Sequence, residues 1–196
     1  GLDPRIGTQY LKAGPGFGGI CLPKDLRALI RTSEKVGYDP VLLKTIYGVN
    51  EEQMRHVVEP VEDILTDLRG KSVAVLGLAF KVGIDDVRES PAIRIVNYLI
   101  EKGARVKVYD PLAMENAKNI LGDKVAYAPS MYECIEDCDA VIIATEWGEF
   151  KGLTPQELKK FMRKPILIDT KRVFADRIDE FSTSITYIAI GISRLP

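Results

Sequence analysis

The sequence is poor in histidine: among its 196 residues His56 stands alone. Chemistry built on a histidine pair or a histidine-rich metal site is therefore excluded within this chain, and no metal is expected. Cysteine is sparse as well. Cys21, Cys134 and Cys138 form an odd set, which argues for reduced thiols in a cytoplasmic protein rather than a disulfide framework. No apolar run reaches transmembrane length, so no membrane contact is expected. No basic block is present either. Lys and Arg number 27 against 28 Asp and Glu, a net charge of −1, and both signs are spread along the chain. That removes the electrostatic footprint of a nucleic-acid binder. Internal repeats and low-complexity segments are lacking. The opening Gly1-Leu2-Asp3-Pro4-Arg5 has no signal-peptide pattern, and because it does not begin with Met, a native N-terminus is expected elsewhere.

What is present is an ordinary globular composition, 46% apolar, enough for one large domain or a domain with a smaller helical piece. The chain changes character near Arg69-Gly70-Lys71. Residues 1–69 read as a helical segment and residues 70–196 as α/β. After a Gly/Pro loop from Ala13 to Gly19, a helix is predicted from Pro23 to Val36. Leu26, Leu29, Ile30 and Ser33 mark its packed face, and Gly37 terminates it. Asp39 then reads as the cap of a second helix with Pro40 at its first position. Pro60 should kink or restart this helix, which runs to about Leu68. Beyond residue 70, strands are predicted at Ser72–Leu78, Arg105–Tyr109, Ala140–Thr145, Pro165–Asp169 and Tyr187–Ile190. Between them lie a helix opened by Ser90-Pro91 and a capping box, Thr154-Pro155-Gln156-Glu157. This alternation predicts a doubly wound parallel sheet of Rossmann-like architecture.

The most informative segment is Gly14-Pro15-Gly16-Phe17-Gly18-Gly19-Ile20-Cys21-Leu22-Pro23-Lys24-Asp25. Its glycines let backbone approach a ligand closely. They deliver Cys21 to a helix start, where the dipole and Lys24 one turn on favour a thiolate nucleophile. Asp25, four residues after Cys21, shares its face and could position water or accept a proton. On the residues alone, a tight turn with Cys21 as a buried small side chain fits equally well.

This segment resembles the GPGFGGxCxPKD signature of the UDP-glucose/GDP-mannose dehydrogenase family, and the similarity extends from Arg5-Ile6-Gly7 through nearly the whole chain. Ile20 departs from the serine that the family often carries before its cysteine. The resemblance implies that Cys21 attacks a sugar aldehyde, giving a thiohemiacetal, then a thioester that hydrolyses to a uronate. It makes Lys24 and Asp25 the pair beside the nucleophile, lines the sugar site with Phe17 and Gly18, and sends Arg5 to a neighbouring subunit's substrate.

A second motif, Gly77-Leu78-Ala79-Phe80-Lys81 with Asp85-Asp86-Val87-Arg88-Glu89-Ser90-Pro91, sits where a dinucleotide fingerprint would fall. The loop lacks G-x-G-x-x-G and is too long for that turn, so this sheet is not expected to bind NAD in the usual way. Lys81 and Arg88 suit phosphates, although a solvated charged loop is the simpler reading. The resemblance implies that Phe80 and Lys81 contact the nucleotide sugar and that Arg88 reaches the NAD cofactor. Where the family has Asp-x-Arg, this sequence has Asp169-Thr170-Lys171-Arg172, so Lys171 takes the nucleotide position without a bidentate fork. Cys134 and Cys138 read as helix packing, Asp110-Pro111 as a strand-ending turn, and His56 as surface.

The resemblance also implies a missing N-terminal NAD domain, so this chain alone is expected to be inactive. The expected whole is an NAD-dependent oxidoreductase that converts UDP-glucose to UDP-glucuronate. GDP-mannose and UDP-N-acetylhexosamines are the close alternatives, and a non-catalytic nucleotide-sugar-binding or dimerisation module is the competing class. A homodimer or larger assembly is expected through the helical segment from Pro40 to about Leu68.

Overall fold

A computed structural model describes residues 1–8 and 11–192. After the Gly/Pro loop come two helices. The first, α1 (Cys21–Lys35), starts two residues earlier than expected and buries only Pro23. The stripe expected to pack it is thus only partly covered, with Leu29 still 52% exposed. The second, α2 (Val41–Leu65), has Pro40 itself at the N-cap. Asp39 is therefore one residue too far out to cap the helix, and its carboxylate takes the Lys44 ammonium at 2.7 Å instead. Pro60 neither stops nor restarts α2, which runs through it unbroken. Val57, Val58, Val61 and Leu65 are buried around that point, and their packing offsets the roughly 3 kcal/mol cost of an interior proline. The helix ends at Leu65, short of the expected Leu68, where Thr66 turns to a φ of 65°.

The remainder is α/β. In chain order follow β1 (Ser72–Leu76), α3 (Pro91–Glu101), β2 (Arg105–Tyr109), α4 (Met114–Leu121), β3 (Ala126–Tyr127), α5 (Met131–Ile135), β4 (Ala140–Ile143), α6 (Pro155–Phe161), β5 (Ile166–Asp169), α7 (Ile178–Ser182) and β6 (Thr186–Ala189). All strand pairs are parallel, in the order β3-β2-β1-β4-β5-β6. This is the expected doubly wound sheet. Ser90 caps α3 by accepting the Ala92 N–H, and the Thr154–Glu157 capping box opens α6 as predicted.

Alternation along the strands splits the core into two layers. Val73, Val75, Val106, Val108, Ile142 and Ile168 pack with α2, α3 and α4. Ala74, Leu76, Val141, Ile143 and Leu167 pack with α5, α6 and α7. Crossovers leave β1 and β4 toward opposite faces, so a crevice opens beyond their carboxyl ends. The loops after β1, β4 and β5 line that edge. The β1 ladder stops at Leu76, two residues before the predicted end: Gly77 still donates to the Tyr109 carbonyl, but Leu78 and Ala79 leave the sheet to be held by a side chain.

Candidate functional site

The Gly/Pro loop is fastened from three sides. From α2, the buried Asn50 accepts the Phe17 N–H at 2.7 Å and returns an N–H to the Phe17 carbonyl at 3.2 Å. Gln53, one turn on, donates to the Gly14 carbonyl at 3.1 Å. From α3, Arg94 donates to the same Phe17 carbonyl while pairing with Glu51 of α2. Gly16 makes the Asn50 contact possible: its φ is +101°, and a Cβ there would stand 2.7 Å from the Asn50 side-chain oxygen. Gly18 answers a different demand. A Cβ on it would meet the Glu89 carbonyl at 2.3 Å, so only glycine lets the cysteine loop touch the loop after β1. The Phe80 ring packs over Gly19, and Arg27 of α1 ties to Glu89 at 2.8 Å. That pairing, with a further contact from Tyr47, holds the Arg27 guanidinium above its ordinary range.

Cys21 is delivered to the first position of α1, exposed, at a helix start with no side-chain cap and no acidic residue in its first turn. The positive helix end therefore lies at Cys21, and the nearest carboxylate on the same face, Asp25, is engaged by Lys24. Lys24 and Asp25 form an ion pair with each other at 2.7 Å. That pairing holds the Lys24 ammonium above its ordinary range, and Cys21 adds a smaller pull. Arg88 is chelated by Asp86 through Nε and Nη2, which raises its guanidinium in the same sense, and Cys21 again contributes least. Arg88 and Lys24 thus both lie within electrostatic reach of one exposed thiol. Cys134 and Cys138 contrast with it: both are buried, and desolvation pushes both thiols up.

Among the expected site residues, Phe17, Gly18, Cys21, Lys24, Asp25, Phe80 and Arg88 fall in this neighbourhood. Lys81 follows on the exposed side of the same loop, 5.6 Å from the centre of the Phe80 ring. Lys171, after β5, runs beside Gly14 and pairs with Glu146 after β4 at 3.2 Å. Arg172 turns away, with a φ of 53°, and donates to the Ile190 carbonyl. Arg5 is engaged by Asp3 at 2.7 Å, 87% exposed, and is not gathered with the rest. Sequence reasoning missed Asn50, Arg94 and Asp110. Asn50 had a signal: it is a polar residue seven positions before Val57, at the head of the stripe that α2 buries. Asp110 is more than a strand-ending turn, as described below. Among the described residues no group of three or more His, Cys, Asp or Glu is placed to hold a metal. No helix among them is long and apolar enough to cross a membrane.

A doubly wound parallel sheet, with a glycine loop packed on the loop after its first strand and an exposed thiol at the end of that glycine loop, defines an α/β fold of the nucleotide-binding type. The profile for the UDP binding domain of the UDP-glucose/GDP-mannose dehydrogenase family matches residues 74–176, and that for the family's central domain matches residues 1–52. The chain belongs to the UDP-glucose/GDP-mannose dehydrogenase family. The UDP-glucose 6-dehydrogenase TuaD of Bacillus subtilis is 41% identical over 175 residues, 89% of this chain and 38% of that protein. The UDP-glucose 6-dehydrogenase of Rickettsia conorii is 42% identical over 193 residues, 97% of this chain and 44% of that protein. The solved UDP-glucose dehydrogenase of Pyrobaculum islandicum superimposes with a TM-score of 0.83 at 41% identity, covering 97% of this chain and 41% of that one. The chain therefore spans about two fifths of the length of the relatives it matches.

Proposed function

We propose that this chain is the nucleophile-bearing and nucleotide-sugar-binding part of an NAD-dependent UDP-glucose 6-dehydrogenase. Residues 1–69 would form the central segment and residues 70–196 the UDP-binding domain. The observation that carries the reading is the placement of Cys21: exposed, at the start of α1, on a loop pinned to the loop that bears Phe80 and Lys81. UDP-glucose is preferred because the relatives above carry that substrate in their names, at 41–42% identity.

The crevice of this chain does not fit NAD. Its first strand-to-helix loop is not the short glycine turn, and the acid at the end of β2 is already saturated by protein N–H groups. The cofactor is assigned to a domain outside this chain, with Arg88 as the contact offered from here. What these residues do is bind and transfer. Lys81 and Lys171 supply charge to the diphosphate, and Phe80, Phe17 and Gly18 line the path to the sugar. The Cys21 sulfur adds to C6 of the bound aldehyde, forming a C–S bond and, once its oxygen is protonated, a thiohemiacetal. After oxidation at C6 this is a thioester. Water guided by Asp25 then adds, the C–S bond breaks, and carboxylate and thiol are released. A second copy would cover the exposed apolar flank of α1 and α2 and receive Arg5.

The test is NADH formation by the full-length protein with UDP-glucose, GDP-mannose and UDP-N-acetylhexosamines. UDP-glucose should give the highest kcat/KM. Cys21→Ser should lower uronate formation by about 10³-fold or more while sparing the first oxidation. Wild-type uronate formation by that variant would make Cys21 structural.

A further inference from the structure

The crevice edge is organised around one buried carboxylate that the chemistry above does not use. Asp110 directly follows β2 and is 1% exposed. Its Oδ1 accepts the N–H groups of Leu112 at 2.9 Å and Ala113 at 2.8 Å. Its Oδ2 accepts those of Leu78 at 2.7 Å and Ala79 at 3.1 Å, and the Trp147 indole N–H at 3.0 Å. A carboxylate offers about four lone-pair sites, and five donors already share these. The donors come from the ends of three neighbouring strands, β1, β2 and β4. One side chain thus ties their loops together where the sheet's own ladder has stopped.

The carbonyls of the same segment are held in the same manner. Ser90 donates to the Leu78 carbonyl at 2.7 Å and Thr145 to the Ala79 carbonyl at 2.6 Å. Both side chains belong to residues 1% exposed, as Asp110 does. Phe80 follows directly, its N–H donating to the Asp86 carbonyl at 3.1 Å. Backbone groups that leave a sheet inside a protein must find partners, and here three buried side chains provide them. In dinucleotide-binding sheets of this winding, an acid at the end of the second strand binds the ribose diol. Asp110 has that place, but its acceptors are turned inward.

We infer that Asp110 is a positioning residue for nucleotide-sugar recognition: it fixes the backbone after β1 so that Phe80 and Lys81 stand beside the cysteine loop, and in doing so it is withdrawn from binding a ribose. The inference rests on the assignment of Phe80 and Lys81 to the nucleotide sugar. Its mechanism is indirect, since Asp110 is buried and its acceptors are taken by protein N–H groups. In Asp110→Asn an amide NH2 must face N–H donors on one side, which breaks the bracket without changing its size.

The experiment compares Asp110→Asn, Thr145→Val and Lys81→Ala in the full-length protein. Thr145→Val keeps the shape of the side chain and removes only the bond to the Ala79 carbonyl, so it stands in if Asp110→Asn fails to fold. Amide exchange at Leu78–Lys81 should quicken by about tenfold relative to β5 in Asp110→Asn, and by about threefold in Thr145→Val. KM for UDP-glucose should rise by similar factors, with kcat and the KM for NAD within about twofold of wild type. Wild-type exchange in both variants overturns the inference. So does faster exchange with unchanged KM for UDP-glucose, or an equal rise in both KM values. Lys81→Ala with a wild-type KM would instead sink the nucleotide assignment, and exchange would still decide whether Asp110 holds the segment.

Discussion

Every residue of β1 is buried, whereas α1 buries only Pro23. The same contrast runs through the two parts of the chain. The sheet closes its own core on both faces, with Leu76, Leu99, Ile142 and Phe150 fully or nearly fully inside. The helical part leaves Leu22, Leu29, Val36, Leu42 and Val49 at 50% exposure or more. Scattered apolar residues on a surface need no explanation, but these recur at seven-residue spacing, Leu22, Leu29 and Val36 along α1 and its C-cap and Leu42 and Val49 along the first half of α2. The sheet completes its core within this chain, while the helical part leaves apolar side chains exposed. The cysteine loop lies at their junction and draws on both: Asn50 and Gln53 from α2, Arg94 and Glu89 from the α/β part.

The largest effect expected from this contrast concerns the thiols. In the native chain Cys21 should be alkylated at least about 100-fold faster than Cys134 or Cys138, because burial removes access and keeps the latter two protonated at pH 8. Mass spectrometry after timed iodoacetamide treatment measures it. Equal labelling would show that the sheet core opens as readily as the helical part. Next is stability. Ile142→Ala, in the central β4, should cost about 2–5 kcal/mol in denaturant unfolding, whereas Leu42→Ala should stay within about 0.5 kcal/mol at dilution where subunits separate. Similar losses at both sites would erase the distinction between a closed and an uncovered surface. Leu42→Asp should then shift sedimentation from dimer toward monomer at tens of micromolar without loss of sheet stability. A wild-type chain that is already monomeric there would remove the second copy from the proposal. The smallest effect falls on the α/β side alone. Lys81→Ala should weaken UDP binding by about tenfold in calorimetry and leave Cys21 labelling unchanged. Tighter binding of NAD than of UDP would reverse the division of labour between the two parts.

Much of this was legible from residue order. Near-continuous apolar runs such as 72–76 and 140–143 mark doubly covered strands, and their alternation with helices sets the winding. Local chemistry was legible where its partners are neighbours. Thr154 and Glu157 cap one helix because they are three residues apart, and Cys21 reaches a helix start because the glycines before it allow the turn. Local reading failed where one residue mattered more than its pattern, as with Asp39, displaced from the cap by Pro40.

Residue order by itself determined the class of fold, since that follows from periodicity, and it singled out Cys21 at a helix start while leaving open whether the thiol is exposed or buried. Only the tertiary structure decided what holds the site in place. Asn50 meets Phe17 across 33 residues, Arg94 meets it across 77, and Asp110 gathers Leu78, Ala79 and Trp147 from 31 to 37 residues away. The physical reason is that a buried polar group is defined by the partners that replace its water. Those partners are brought to it by the packing of α2, α3 and the strand ends, and no spacing along the chain announces them.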